Sequence, residues 1–294
     1  MLNPTRPRLR GFVASLAAAA VVLGLGACST VPTVATVPVA AGALVEHAAH
    51  SYGTAKVIDD TKTESVLLVP VKATDSLAVF VHGSGQSQYT ILQRPGEYGV
   101  GRELVEHGYL VLAANAGGRQ WGNPASVADY TRLIRSTMER YRVRNVFLMA
   151  ESMGGLATMQ LAAALPEVRA VTAWYPVCDL RTMERKPHYA AAIEAAWAGK
   201  DRSAVSPVRV PRVPMMIWAS PSDTVVQASR NAAYCASSEQ ADGGTVSYIH
   251  TVGQHGDPSN FRPKDVLRFF DEHRATTLAA ADAGTPKTAT HRGS

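Results

Sequence analysis

Apolar residues fall along this chain in two alternating rhythms. Leu77 to Val81, Tyr109 to Ala114, Val146 to Ala150, Ala170 to Val177 and Met215 to Ala219 are short, dominantly apolar runs of strand length. Such runs read as strands covered on both faces. Between them the spacing lengthens to a helical period, clearest in Ala125 to Tyr141, where Val127, Tyr130, Leu133, Ile134 and Met138 share one face. Gly99 to His107, Val226 to Ser238 and Pro263 to His273 also read as helices, and Met159 to Leu165 as a buried one. Weak alternation at Ala55 to Ile58 and Ser65 to Val69 suggests two outer strands, and Thr245 to Thr251 a last one. Only Arg181 to Pro214 breaks the rhythm, with a short helix around Tyr189 to Trp197 and then a proline-rich stretch. It has room for at most a small cap. Strand and helix in alternation predict an α/β fold, a mostly parallel sheet covered by helices on both faces. Its reactive loops gather at the carboxyl ends of the strands.

Composition adds an address. The chain has 294 residues, of which 46% are hydrophobic. A single domain over residues 47–274, about 220 to 230 residues, accounts for the patterned region. Before it, Arg6, Arg8 and Arg10 precede the apolar run Gly11 to Leu25 and then Gly26, Ala27 and Cys28. This is a basic start, an apolar stretch short for a membrane span, and a small-residue cleavage site. With cysteine directly after the small pair, the segment resembles a bacterial lipobox. The resemblance implies a signal peptide over 1–27 and a diacylglycerol group on the sulfur of Cys28. It also implies a tether over 28–46 and a place on the outer face of the cytoplasmic membrane. A plain secretory signal or an uncleaved anchor is the alternative. Removing residues 1–27 takes three arginines and no acid, so the formal charge falls from +5 to +2. The basic balance is then largely a targeting feature and gives no reason to expect nucleic-acid binding. Past Ala275 the periodicity ends, and a disordered tail over 275–294 is expected. In an oxidising compartment Cys178 and Cys235 form a disulfide or remain two buried thiols. No His or Cys spacing suggests a metal site.

The chemistry centres on Glu151-Ser152-Met153-Gly154-Gly155, between a predicted strand and a predicted helix. With Ala150 in the first small position, this is close to G-x-S-x-G, in which a tight turn lifts a serine hydroxyl into a cleft. Here the chain resembles the α/β-hydrolase superfamily of serine hydrolases. A serine hydroxyl needs a base in hydrogen-bond reach and an acid that holds that base in the right tautomer. The resemblance implies the order Ser, Asp, His, and places these roles on Ser152, Asp223 and His255. His255 lies in the glycine-flanked loop Val252-Gly253-Gln254-His255-Gly256, after the last predicted strand. His250, inside that strand, and His273, at a helix end, read as structural. Asp223 follows the strand begun at Met215, while Asp179, in the loop after the preceding strand, competes for the acid role. Glu151 is given no catalytic role. His82-Gly83-Ser84-Gly85 is similar to the superfamily's oxyanion segment, which implies donors at the N–H of Ser84, beside Gly83, and at the N–H of Met153.

A serine nucleophile points to acyl chemistry, without any cofactor. The reaction expected is hydrolysis of a small-molecule or lipid ester through an acyl-enzyme on Ser152. Acyltransferase, thioesterase and peptidase activities use the same triad, and a non-catalytic binding lipoprotein on the same scaffold is the rival from another class. Trp121, Trp174, Tyr175 and Trp197 either line the cleft or pack the core.

Overall fold

A computed structural model of the chain describes residues 44–47, 54–60 and 63–283, with side chains over 63–274. The stretch read as a signal, most of the tether with Cys28, and residues 284–294 lie outside the described residues. The strands are β1 (Leu44–His47), β2 (Thr54–Asp60), β3 (Thr63–Val69), β4 (Ser76–Val81), β5 (Leu110–Ala114), β6 (Asn145–Glu151), β7 (Val168–Trp174), β8 (Met215–Ala219) and β9 (Val246–His250). The helices are α1 (Thr90–Gln93), α2 (Pro95–Glu106), α3 (Pro124–Tyr141), α4 (Gly154–Ala164), α5 (Arg181–Glu184), α6 (Pro187–Trp197), α7 (Ala232–Ala241) and α8 (Pro263–Ala283).

Among the described residues the strands form one sheet in the order β1-β2-β3-β5-β4-β6-β7-β8-β9. Pairing is antiparallel from β1 to β5 and parallel from β5 to β9. β4 is the turning point. The chain leaves it outward to β5 and returns on its other side as β6, so the loops after β4 and β6 meet where the winding reverses. In open parallel sheets that is where ligand sites are built. Successive residues of β4 divide between the two faces: Leu77, Val79 and Val81 join a core with α3 and α4, and Ala78 and Phe80 join one with α2 and α8. This period of two accounts for a strand that is apolar throughout. Neither face of it meets water.

The helices begin and end where local chemistry dictates. Asn123 caps α3 by accepting from the N–H of Ser126 at 2.8 Å, Pro124 fills the first helical position, and Arg142 closes the helix in a left-handed conformation. α4 is buried nearly all round, as the Met159 to Leu165 pattern expects, although it starts earlier, at Gly154.

Several expected boundaries move. β7 stops at Trp174 rather than Val177, because Tyr175 turns to φ 38° and Pro176 has no N–H to give a ladder. The helix expected from Val226 is broken at Asn231, whose side-chain oxygen accepts from the N–H groups of Cys178 at 3.0 Å and Asp179 at 3.2 Å. β1 begins at Leu44, inside the stretch read as tether, and α8 continues to Ala283, into the stretch read as tail. The Arg181 to Pro214 segment yields the short helices α5 and α6. α6 docks on the loop before α3, with Trp197 Nε1 donating to the Trp121 carbonyl at 3.1 Å and Asn123 Nδ2 to that of Ala196 at 2.8 Å. Cys178 and Cys235 are bonded, joining the loop after β7 to α7 across 57 residues of sequence. Closing a loop of that length in the unfolded chain is worth about 4 kcal/mol on a chain-entropy model.

Candidate active site

Ser152 stands at φ 50°, a conformation that costs a non-glycine residue of order 1–3 kcal/mol and persists only where its surroundings enforce it. They do so here by backbone bonds. The Ser152 N–H donates to the Trp174 carbonyl at 3.0 Å, while its own carbonyl accepts from Val177 N–H at 2.8 Å and Gly155 N–H at 3.0 Å. The two glycines that follow are required by close approach: a Cβ on Gly154 would run into the Val81 carbonyl, and one on Gly155 would lie 2.6 Å from that of Val177. Ala150 sits in register between Val81 and Ala173, so a methyl group fits where the pattern more often has glycine.

The loop after β9 carries His255 over this turn. His255 Nε2 lies 3.0 Å from Ser152 Oγ, and its Nδ1 lies 2.7 Å from Asp223 Oδ2. Three side chains from loops after β6, β8 and β9 thus form one hydrogen-bonded line. Asp223 is held at its other oxygen, where Oδ1 accepts from the N–H groups of Val225 and Val226, each at 2.8 Å. The Asp223 side chain is 2% exposed and that of His255 18%, so the acid is sealed and the base reaches the surface. Ser152 is 8% exposed. Asp179, the competing acid, is engaged elsewhere: both its oxygens pair with the Arg181 guanidinium, at 2.9 and 2.8 Å. His250 packs edge-on against Tyr248, and His273 contacts the Phe269 carbonyl inside α8 rather than at its end.

In the loop after β4 the Gly83 N–H donates to Gln86 Oε1 at 2.7 Å. Gly83 is therefore a spacer rather than an available donor. A Cβ there would lie 3.4 Å from the Cβ of Ser152, so the loop runs directly against the turn. Among the described residues the N–H groups of Ser84 and Met153 donate to no protein group. The Gly83 carbonyl, which shares a peptide plane with the Ser84 N–H, is pinned by Gln86 N–H at 3.2 Å and faces His82 Nδ1 at 2.8 Å. Because the plane is rigid, fixing that carbonyl fixes the opposite aim of the Ser84 N–H.

The aromatic candidates divide. Trp121, Trp174 and Trp197 are core, Trp174 stacking on Trp218 and Phe261 at 5.4 and 4.7 Å between ring centroids. Tyr175 packs on His255, with ring centroids 4.4 Å apart, and its hydroxyl donates to Glu151 Oε1 at 3.1 Å. Glu151 and Gln86 are the neighbours of the site that motif reading passes over. Their partners come from distant parts of the chain, and only the strong apolar context of a carboxylate beside Ser152 hints at them. Burial, then the nearby Glu97 carboxyl, push the Glu151 carboxyl up to about 8. Burial and Glu151 raise the Tyr175 phenol as well. Among the residues described no cluster of three or more His, Cys, Asp or Glu side chains is placed to hold a metal ion.

No family model matches the chain, and no curated protein does. Solved structures do. An acylaminoacyl peptidase of Pyrococcus horikoshii superposes with a TM-score of 0.57 at 15% identity, over 78% of this chain and 41% of the peptidase. An esterase of Pyrococcus furiosus gives 0.56 at 15% identity, over 79% of this chain and 92% of the esterase. A truncated carbohydrate esterase from gut microbiota gives 0.57 at 17% identity, over 72% and 91%. The chain thus spans about two fifths of the peptidase's length and nearly all of each esterase's. With its reversing, mostly parallel sheet and its strand-to-helix turn at Ser152, the chain has the α/β-hydrolase fold.

Proposed function

We propose that the protein is a serine hydrolase that cleaves carboxylic esters through an acyl-enzyme on Ser152. The observation that carries this is the unbroken line from Asp223 through His255 to Ser152 Oγ, with bonds of 2.7 and 3.0 Å. In this reading Asp223 holds His255 in the tautomer with hydrogen on Nδ1, leaving Nε2 to take the Ser152 proton as Oγ attacks the ester carbonyl. The oxyanion forms against the N–H groups of Ser84 and Met153. One such donor typically contributes about 2.7–4 kcal/mol to the transition state. His255 returns the proton to the leaving alcohol, then takes one from water as the water oxygen attacks the acyl carbon, and gives it to Ser152 Oγ as the bond to the enzyme breaks and the acid leaves.

Esters are preferred over peptides because the structurally similar esterases are matched over about nine tenths of their length, against 41% for the peptidase. The check is a series of p-nitrophenyl acetate, butyrate, octanoate and palmitate beside an acylaminoacyl p-nitroanilide. Turnover is expected on the short and medium esters, at least about 100-fold above the anilide in kcat/KM. Faster cleavage of the anilide would move the assignment to a peptidase. The same proposal anchors the protein by lipid at Cys28, on the strength of the residues before it. Mass spectrometry of membrane-extracted protein should find a diacylglyceryl group on Cys28, and an unmodified amino terminus elsewhere would mean ordinary secretion.

A further inference from the structure

Behind the catalytic line lies a second buried network that the hydrolytic mechanism does not use. Glu151, next to Ser152, and Glu97, in the first turn of α2, both have nearly sealed side chains, 3% and 4% exposed. Each keeps a buried oxygen with no hydrogen-bond partner, Oε2 of Glu151 and Oε1 of Glu97, and both carboxyls face one guanidinium, with Arg94 Nη1 3.7 Å from Glu151 Oε1 and Arg94 Nε 3.5 Å from Glu97 Oε1. Two ionised carboxylates held against one cation repel each other, and a proton on one of them relieves the repulsion and turns an orphaned oxygen into a donor. The other partners say which oxygen carries it. Glu151 Oε1 accepts from Gln86 Nε2 at 2.7 Å and from the Tyr175 hydroxyl at 3.1 Å, and faces the Arg94 guanidinium at 3.7 Å. With two hydrogen bonds and the Arg94 charge on Oε1, the proton belongs on Oε2.

The network reaches the reacting groups by two routes. Gln86 turns its Oε1 to the Gly83 N–H, which can only donate, so its Nε2 must point at Glu151. Gln86 thereby clamps the loop that aims the Ser84 N–H. Tyr175, held by Glu151 at its hydroxyl, lies against the ring of His255. We propose that Glu151 and Glu97 share one proton and act as positioning residues, holding the Ser84 loop through Gln86 and the His255 ring through Tyr175. This rests on the serine-hydrolase reading for its effect on rate, though the shared proton does not.

The raised folded-state value of Glu151, about 8 against an ordinary 4.5, sets the direction of the pH dependence. The stabilisation is fully present below about pH 4.5 and is lost as pH rises through about 8. Ionised Glu151, repelled by the Glu97 carboxyl, then loosens the clamp. Arg94, Tyr175 and Gln86 are the other charged, titratable or polar groups facing it, and His255 touches it through Tyr175.

The test compares wild type, Glu151→Gln and Gln86→Ala on p-nitrophenyl acetate from pH 6 to 10, with urea unfolding midpoints over the same range and down to pH 5. Gln mimics the protonated acid in shape and hydrogen bonding. Glu151→Gln should keep wild-type kcat at pH 7 within about 3-fold and lose the decline expected of wild type above about pH 8. Gln86→Ala should lower kcat by about 10- to 100-fold with KM within about 2-fold, the signature of a displaced donor rather than lost substrate binding. An unchanged alkaline decline in Glu151→Gln, or unchanged kcat in Gln86→Ala, overturns the proposal. If wild type turns over no ester, the hydrolase reading fails separately, and the midpoints decide the proton. The urea midpoint of wild type must fall relative to that of Glu151→Gln from pH 5 to pH 8, and a constant difference overturns the pair.

Discussion

Replacing Ser152 by Ala should abolish ester turnover, lowering kcat by at least about 10⁴-fold while leaving the unfolding transition where it was or slightly higher. The magnitude follows from what is removed. His255 and the N–H groups of Ser84 and Met153 stay in place, so binding and a little polarisation of the carbonyl survive, but no acyl-enzyme forms. The stability half of the expectation comes from the turn. Its strain lies in the backbone at φ 50°, held by the bonds to Trp174, Gly155 and Val177, and none of these involves the hydroxyl. Only the Oγ contact with His255 is lost. Steady-state kinetics on p-nitrophenyl butyrate with a chemical denaturation curve checks both halves. Retained turnover in a folded variant would assign the reaction to another group.

Asp223→Asn should lower kcat by about 10⁴-fold without unfolding the protein. The asparagine oxygen can keep the caps on Val225 and Val226 N–H that Asp223 Oδ1 now makes. Its amide then faces His255 Nδ1 and donates to it, which forces the ring hydrogen onto Nε2. A ring in that tautomer donates to Ser152 Oγ and can no longer accept its proton. The control is Asp179→Asn, expected to change kcat by less than about 3-fold, since that carboxylate is occupied by Arg181. Equal losses in the two variants, or a loss only at Asp179, would contradict the assignment of the acid.

The parts of this site legible in the sequence are those in which local pattern and chemistry coincide. The apolar runs of β4, β6 and β8 stand out because both their faces are covered and no alternation intervenes. Ser152 stands out because a serine set between a buried strand and a buried helix, and followed by two glycines, marks a sharp strand-to-helix turn. Asp223 and His255 follow from their positions after strands. Asp179 has the same kind of position, and only side-chain contacts, His255 on Asp223 and Arg181 on Asp179, separate the two. The ends of β7 and α7 are not legible because Tyr175 and Asn231 obey tertiary demands, a φ of 38° and a pair of bonds to Cys178 and Asp179. Glu151 reads from the sequence as a neutral neighbour of Ser152. Its significance depends on Glu97, Gln86 and Tyr175, which converge on it from three other segments and leave no periodic or spaced signature.

The most direct measurement is covalent labelling of the folded protein with a fluorophosphonate, followed by mapping of the modified peptide. The triad account predicts one adduct, on Ser152, that disappears in Ser152→Ala and forms much more slowly in Asp223→Asn. Folded protein that stays unlabelled, or carries its adduct on another residue, would contradict it.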